Sequence, residues 1–137
     1  MVTRVLDTSV VVKWFFEEEG TDRAEGFLRE LFQGNTRIHV PSSLFYELAN
    51  VLWARRTKGL TELQSRMVWA ELTSFPLVVT DWSELLPQAM IFAFEHDVTA
   101  YDAVFVVLAR QLDCDLITAD DALRQLIEAQ CPWVRPL

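Results

Sequence analysis

At 137 residues, 51% of them hydrophobic, the chain is long enough for one substantial core and too short to divide between two, so a single domain spanning residues 1–137 is expected. A formal charge of −8 excludes a protein that grips nucleic acid through a broad basic surface, because neutralisation of phosphates by Lys and Arg supplies most non-specific affinity. No apolar run reaches the roughly 18 residues that span a bilayer, and no leader pattern opens the chain; Cys114 and Cys131 form neither a C-x-x-C pair nor a zinc spacing with a nearby His, so a soluble protein of the reducing cytoplasm is expected.

Taken in order, Val2 to Leu6 reads as a short buried strand, Ser9 to Phe16 as a helix apolar on nearly every side apart from Lys13, and Thr21 to Gln33 as a second helix ended by Gly34 and Asn35. Ile38 to Val40 is the next strand, and Pro41 with Ser42 and Ser43 opens a long helix through Arg56, Pro being well tolerated in a first helical turn. Gly59 stops it, and Thr61 to Thr73 forms the second arm of a helical hairpin. Leu77 to Val79 is a third strand, followed by helices from Ser83 to Glu95 and from Tyr101 to Leu112. Asp115 to Thr118 is a fourth strand, Asp120 to Ala129 a short helix, and Trp133 to Val134 an edge strand. Short apolar strands alternating with helices, without hairpin turn signals, predict an α/β fold with a parallel sheet covered on both faces.

In open parallel sheets ligands bind beyond the carboxyl ends of the strands, and four acids fall near that edge: Asp7, Glu47, Asp102 and Asp120. Singly, each has an ordinary structural role. Asp120 is a ready N-cap, Asp102 fits a capping box with Thr99, Asp7 suits the positive end of the helix after it, and Glu47 lies at the edge of an apolar helix sector from which it can reach water. As a set they point elsewhere, because carboxylates converging at one sheet end repel one another unless a cation holds them. All-oxygen donors without His or Cys favour a hard ion, Mg²⁺ or Mn²⁺, whose water can attack phosphorus. Such local cations also reconcile an acidic chain with a polyanionic substrate.

Four segments, VLDTSVVVKWFFEEEG, PSSLFYELANVLW, TAYDAVFVVLA and LITADDAL, resemble the PIN domain ribonucleases across the whole chain, in particular the VapC-type toxins of toxin-antitoxin pairs. The resemblance implies a PIN-like three-layer α/β/α fold with a central parallel sheet of four to five short strands. It also implies a Mg²⁺-dependent endoribonuclease, with Mn²⁺ as a substitute, acting as the toxin of a type II system. Asp7, Glu47, Asp102 and Asp120 fall on the catalytic acids, Asp7 and Asp102 as principal metal ligands, with Ser9 and Thr118 as supporting hydroxyls. Asp121 competes with Asp120, the T-x-D spacing favouring Asp120. The implied partners are RNA, a VapB-type antitoxin that occludes the cleft, and a second copy in a homodimer.

Five Trp, nine Phe and two Tyr exceed what one buried layer needs, and Trp14, Phe15, Phe16, Trp53 and Trp69 are candidates for partner contacts or internal packing. Arg55, Arg56 and Lys58 form the one basic cluster, suited to RNA phosphate or to a solvated helix end. His39 and His96 lie outside the motifs. A phosphatase with a D-x-D nucleophile would need an acid where Ser9 stands, and the glycine-rich nucleotide-binding fingerprints are absent. The alternative from another class is a catalytically inactive PIN-like binding scaffold.

Overall fold

Five short strands carry the fold, and polar or turn residues close each of them. In the computed structural model, which describes residues 1–137, the order is β1 (Val2–Leu6), α1 (Thr8–Val11), α2 (Thr21–Phe32), β2 (Thr36–Pro41), α3 (Ser43–Ala54), α4 (Glu62–Ser74), β3 (Val78–Thr80), α5 (Trp82–His96), α6 (Ala100–Gln111), β4 (Asp115–Thr118), α7 (Asp121–Ile127) and β5 (Val134–Pro136). All pairings are parallel, in the order β3-β2-β1-β4-β5. The architecture is the expected three-layer α/β/α, with five strands. No helix is long and apolar enough to cross a membrane.

Strand order reverses beside β1, because β2 and β3 extend the sheet on one side and β4 and β5 on the other. Crevices at such a reversal sit above the carboxyl ends of the strands. The carboxyl ends of β1 and β4, where Leu6 lies opposite Ile117 and Thr118 follows, therefore define the rim on which a ligand site is built.

Below that rim, 29 buried apolar residues form one continuous core. Helix α6 is its centre: Ala103, Val104, Phe105, Val106, Val107, Leu108 and Ala109 are all buried, as befits a helix apolar all round. It lies across β1, β2 and β4 and packs its other side on α5. Each large side chain taken from water here contributes roughly 1.5–3 kcal/mol before the entropy of ordering it is subtracted.

Two stretches depart from the sequence expectation. The helix expected over Ser9 to Phe16 is only one α-turn, α1, which tightens into a 3-10 turn at Val12–Trp14. Three successive β-branched valines lose rotamer freedom in a helix, and the Trp14 indole N–H donates to the Ala24 carbonyl (2.8 Å), tying the segment to α2. Pro41, expected in the first turn of the next helix, instead ends β2 opposite Thr80. Its missing N–H closes the strand there, and the following Ser42 N–H donates to the Thr80 carbonyl (2.8 Å). Gly59 stops the α3 extension as expected, at φ 93°, a backbone state that costs other residues more.

Most of the singled-out aromatics pack internally. Trp14 and Phe15 meet Phe75, and Trp69 meets Phe45 edge-on. The basic cluster is largely engaged too: Arg55 pairs with Glu18 over the Phe16 ring, and Arg56 lies on Trp53.

Candidate active site

Asp7 follows β1 and continues it by donating its N–H to the Ile117 carbonyl of β4 (3.0 Å). It occupies the N-cap position of α1, yet its side chain makes no capping bond. The carboxylate instead receives two hydroxyls on one oxygen, Oδ2: Ser9 Oγ at 2.7 Å and Thr118 Oγ1 at 2.9 Å. Backbone donors orient both hydroxyls, since Ser9 Oγ accepts from the Ala119 N–H and Thr118 Oγ1 from the Asp120 N–H, each at 3.0 Å. With acceptance used on the backbone, each hydroxyl proton points at Asp7.

Despite these donors and the Thr8 N–H, burial pushes the Asp7 carboxyl above its usual range, and the Asp120 charge adds to the rise. Desolvation disfavours the charged form and wins here.

Glu47 projects from α3. Burial raises its carboxyl to about 7, the Thr8 side chain tempers the rise, and repulsion from Asp7 and Asp102 adds to it. Its Oε1 is buried and without a hydrogen-bond partner, as is the neighbouring Thr8 hydroxyl, so the two do not close a bond of normal geometry. The ordinary role open to Glu47, reaching water from the edge of an apolar sector, therefore gives way to a half-enclosed carboxyl facing other acids.

Asp102 lies in the first turn of α6, where Thr99 Oγ1 caps the helix by accepting the Asp102 N–H (3.2 Å). Burial raises its carboxyl as well, followed by repulsion from Asp7 and then Asp120, while Thr99 lowers it. Asp120 has a double position. Its Oδ1 caps α7 by accepting the Leu123 N–H (3.0 Å), as an ordinary cap would, and its charge acts on both Asp7 and Asp102. Asp121 instead pairs with Arg124 (3.4 Å).

The structure thus places Asp7 and Asp102 within electrostatic reach of each other and of both Glu47 and Asp120 at the rim, with Ser9 and Thr118 bonded to Asp7. What disturbs Asp7, Glu47 and Asp102 is burial and each other; no Lys or Arg offsets them. A cluster of this kind favours a cation, and its donors are all oxygen, suited to a hard divalent ion. No three His, Cys, Asp or Glu side chains form a closed ligand set in this arrangement. Thr8, whose hydroxyl faces Glu47, was not singled out from sequence; its position directly after Asp7 was the available signal.

The PIN domain family model matches residues 4–128. The ribonuclease VapC3 of Pyrobaculum aerophilum is 35% identical over 135 residues, covering 96% of this chain and 98% of its own. The ribonuclease VapC9 of Mycobacterium tuberculosis is 34% identical over 117 residues, covering 79% of this chain and 84% of its own. Among solved structures, VapBC2 from Rickettsia felis bound to a promoter DNA fragment superposes with a TM-score of 0.68 at 15% identity, over 99% of both chains. A toxin-antitoxin complex from Klebsiella pneumoniae gives 0.63 at 16% identity, over 96% of this chain and 95% of that one. At such identities these structures speak for the fold.

Proposed function

Because the chain belongs to the PIN domain family, we propose that it is an endoribonuclease that hydrolyses RNA phosphodiester bonds with the help of Mg²⁺, as the toxin of a type II toxin-antitoxin system. The observation that carries this reading is the group of four acids at the sheet rim, three with carboxyls raised by burial and by one another, and none compensated by a basic side chain.

Asp7 and Asp102 would hold the ion, Mg²⁺ or in its place Mn²⁺, with Glu47 and Asp120 completing the acidic pocket. When bound, the ion supplies a water of lowered pKa and neutralises charge developing on the phosphate. Ser9 and Thr118 fix the Asp7 carboxylate by occupying Oδ2 from both sides. Glu47, with its carboxyl near 7, changes protonation in the physiological range and can take a proton from the attacking nucleophile when ionised. Asp120, held by its capping bond to the Leu123 N–H, keeps a fourth charge aimed at the same point.

The partners follow from the same reading: an RNA substrate, a VapB-type antitoxin, and a second copy of the chain, for which the exposed Met90, Ile91 and Phe94 on α5 offer an apolar face. We place the protein in the cytoplasm, with residues 1–137 acting as one domain. The test is cleavage of labelled RNA by purified, antitoxin-free protein. Cutting should require a divalent ion and disappear in Asp7→Asn and Asp102→Asn; equal cutting by those variants rejects the assigned roles, and no cutting by the wild type favours a binding scaffold.

A further inference from the structure

Beside the acid cluster, α3, α5 and α6 enclose a groove of about 390 Å³ lined by Ser43, Tyr46, Glu47, Trp82, Leu86 and Tyr101, within the roughly 300–1,000 Å³ of small-molecule sites. Tyr46, Tyr101 and Trp82 are 75%, 72% and 40% exposed. Whereas the exposed Phe32, Trp69 and Trp53 lie against Phe75, Phe45 and Arg56, the rings of Tyr46, Trp82 and Tyr101 stack on no other ring and carry no guanidinium. One helical turn apart on α3, Ser43 Oγ and Glu47 Oε1 are both buried without a hydrogen-bond partner. Native structures rarely leave such atoms unpaired. Two of them beside three free aromatic faces suit a flat ligand with polar edges.

Charge decides which part of an RNA that is. Glu47 belongs to both the groove and the acid cluster, so a phosphate entering here meets carboxylates, and a chain of charge −8 gains little from counterion release. Affinity for single-stranded RNA then has to come from bases, which stack on aromatic side chains and offer their edges to hydrogen bonds. Resting on the endoribonuclease reading, we infer that this groove is a nucleobase subsite: a base next to the scissile linkage unstacks from its strand, lies against Tyr46, Trp82 and Tyr101, and turns its polar edge to Ser43 and Glu47.

The experiment measures binding of labelled single-stranded homopolymers of A, C, G and U by fluorescence anisotropy, on Asp7→Asn protein so that nothing is cut, with mass followed by sedimentation. Trp82→Ala and Tyr101→Ala should each weaken binding about tenfold, the scale of losing one base stack, at unchanged mass, while Trp82→Phe retains most of it. Ser43→Ala removes an unpartnered hydroxyl; it should leave the melting temperature unchanged or higher and reorder the preference among the four homopolymers. Binding by Trp82→Ala and Tyr101→Ala within twofold of the parent overturns the subsite, and so does a fall in mass that tracks the weakened binding, which gives the groove to a second copy. If the wild type cuts RNA and Trp82→Ala cuts it as well with the same site choice, only the subsite fails. If the wild type does not cut, yet oligonucleotide binding depends on Trp82 and Tyr101, the nuclease reading fails and base binding is supported.

Discussion

Helix α6 presents two opposite surfaces within ten residues. Its first turn hands Asp102 to a group of carboxylates that burial and repulsion hold in an unfavourable state, while Ala103 to Ala109 fill the core with no polar side chain among them. Rim and core are close in space, and they divide the work. The core supplies the burial that keeps the chain folded, and the rim draws on it to keep like charges together. Substitutions should therefore separate cleanly, with core changes felt in stability and rim changes felt in activity.

The strongest test of that separation lies in the core. Phe105→Ala should lower the unfolding free energy by about 3–5 kcal/mol in denaturant melts, and the molecules still folded should cut RNA at the wild-type rate. Asp7→Asn is its mirror image. Cleavage should fall by about 10²–10³-fold or more, whereas the melting temperature without metal holds or rises, because an amide oxygen keeps both hydroxyl bonds without the buried charge; a drop of several degrees would make Asp7 a structural support.

Titration sharpens the same contrast. Glu47 sits at about 7 in the folded protein against an ordinary 4.5, and Asp7 and Asp102 are raised in the same direction. Between those two values the folded state holds a proton that the unfolded chain has released, so metal-free stability should fall as pH rises through that interval. Glu47→Gln should flatten the slope, and an unchanged slope would acquit Glu47. Next comes Thr118→Val, which removes a donor to Asp7 and an acceptor for the Asp120 N–H; it should cost about 1–3 kcal/mol and slow cleavage as well, the one case in which both readouts move. Smallest is Thr61→Ala, which deletes the capping box of α4 and should cost about 1 kcal/mol with cleavage unchanged.

Much of this was legible in the residues. A strand followed by Asp7, a strand ending on Thr118, the T-x-x-D at the start of α6 and the cap at Asp120 are local signals, and local signals survive folding. What sequence left open was whether each acid served only its own helix. Asp120 and Thr99 do cap their helices, whereas Asp7, in the same type of position, caps nothing. That difference depends on Thr118, 111 residues away, which no periodicity reveals. Pro41 was misplaced for a related reason: beside two serines it reads as a helix start, and only the pairing of β2 with β3 makes it the end of a strand. The orphaned atoms of Ser43 and Glu47 are likewise products of packing.

The hydroxyl bridge from Thr118 to Asp7 also bears on timing. Synthesis delivers Asp7 first, and the residue that steadies it arrives 111 positions later. A nascent chain interrupted before β4 can pair β1 with β2 but lacks the Ile117 carbonyl and the Thr118 hydroxyl that hold Asp7 in place. Under the proposed endoribonuclease activity this order of synthesis works as a safety catch, because the acid cluster is aligned only once β4 has been made.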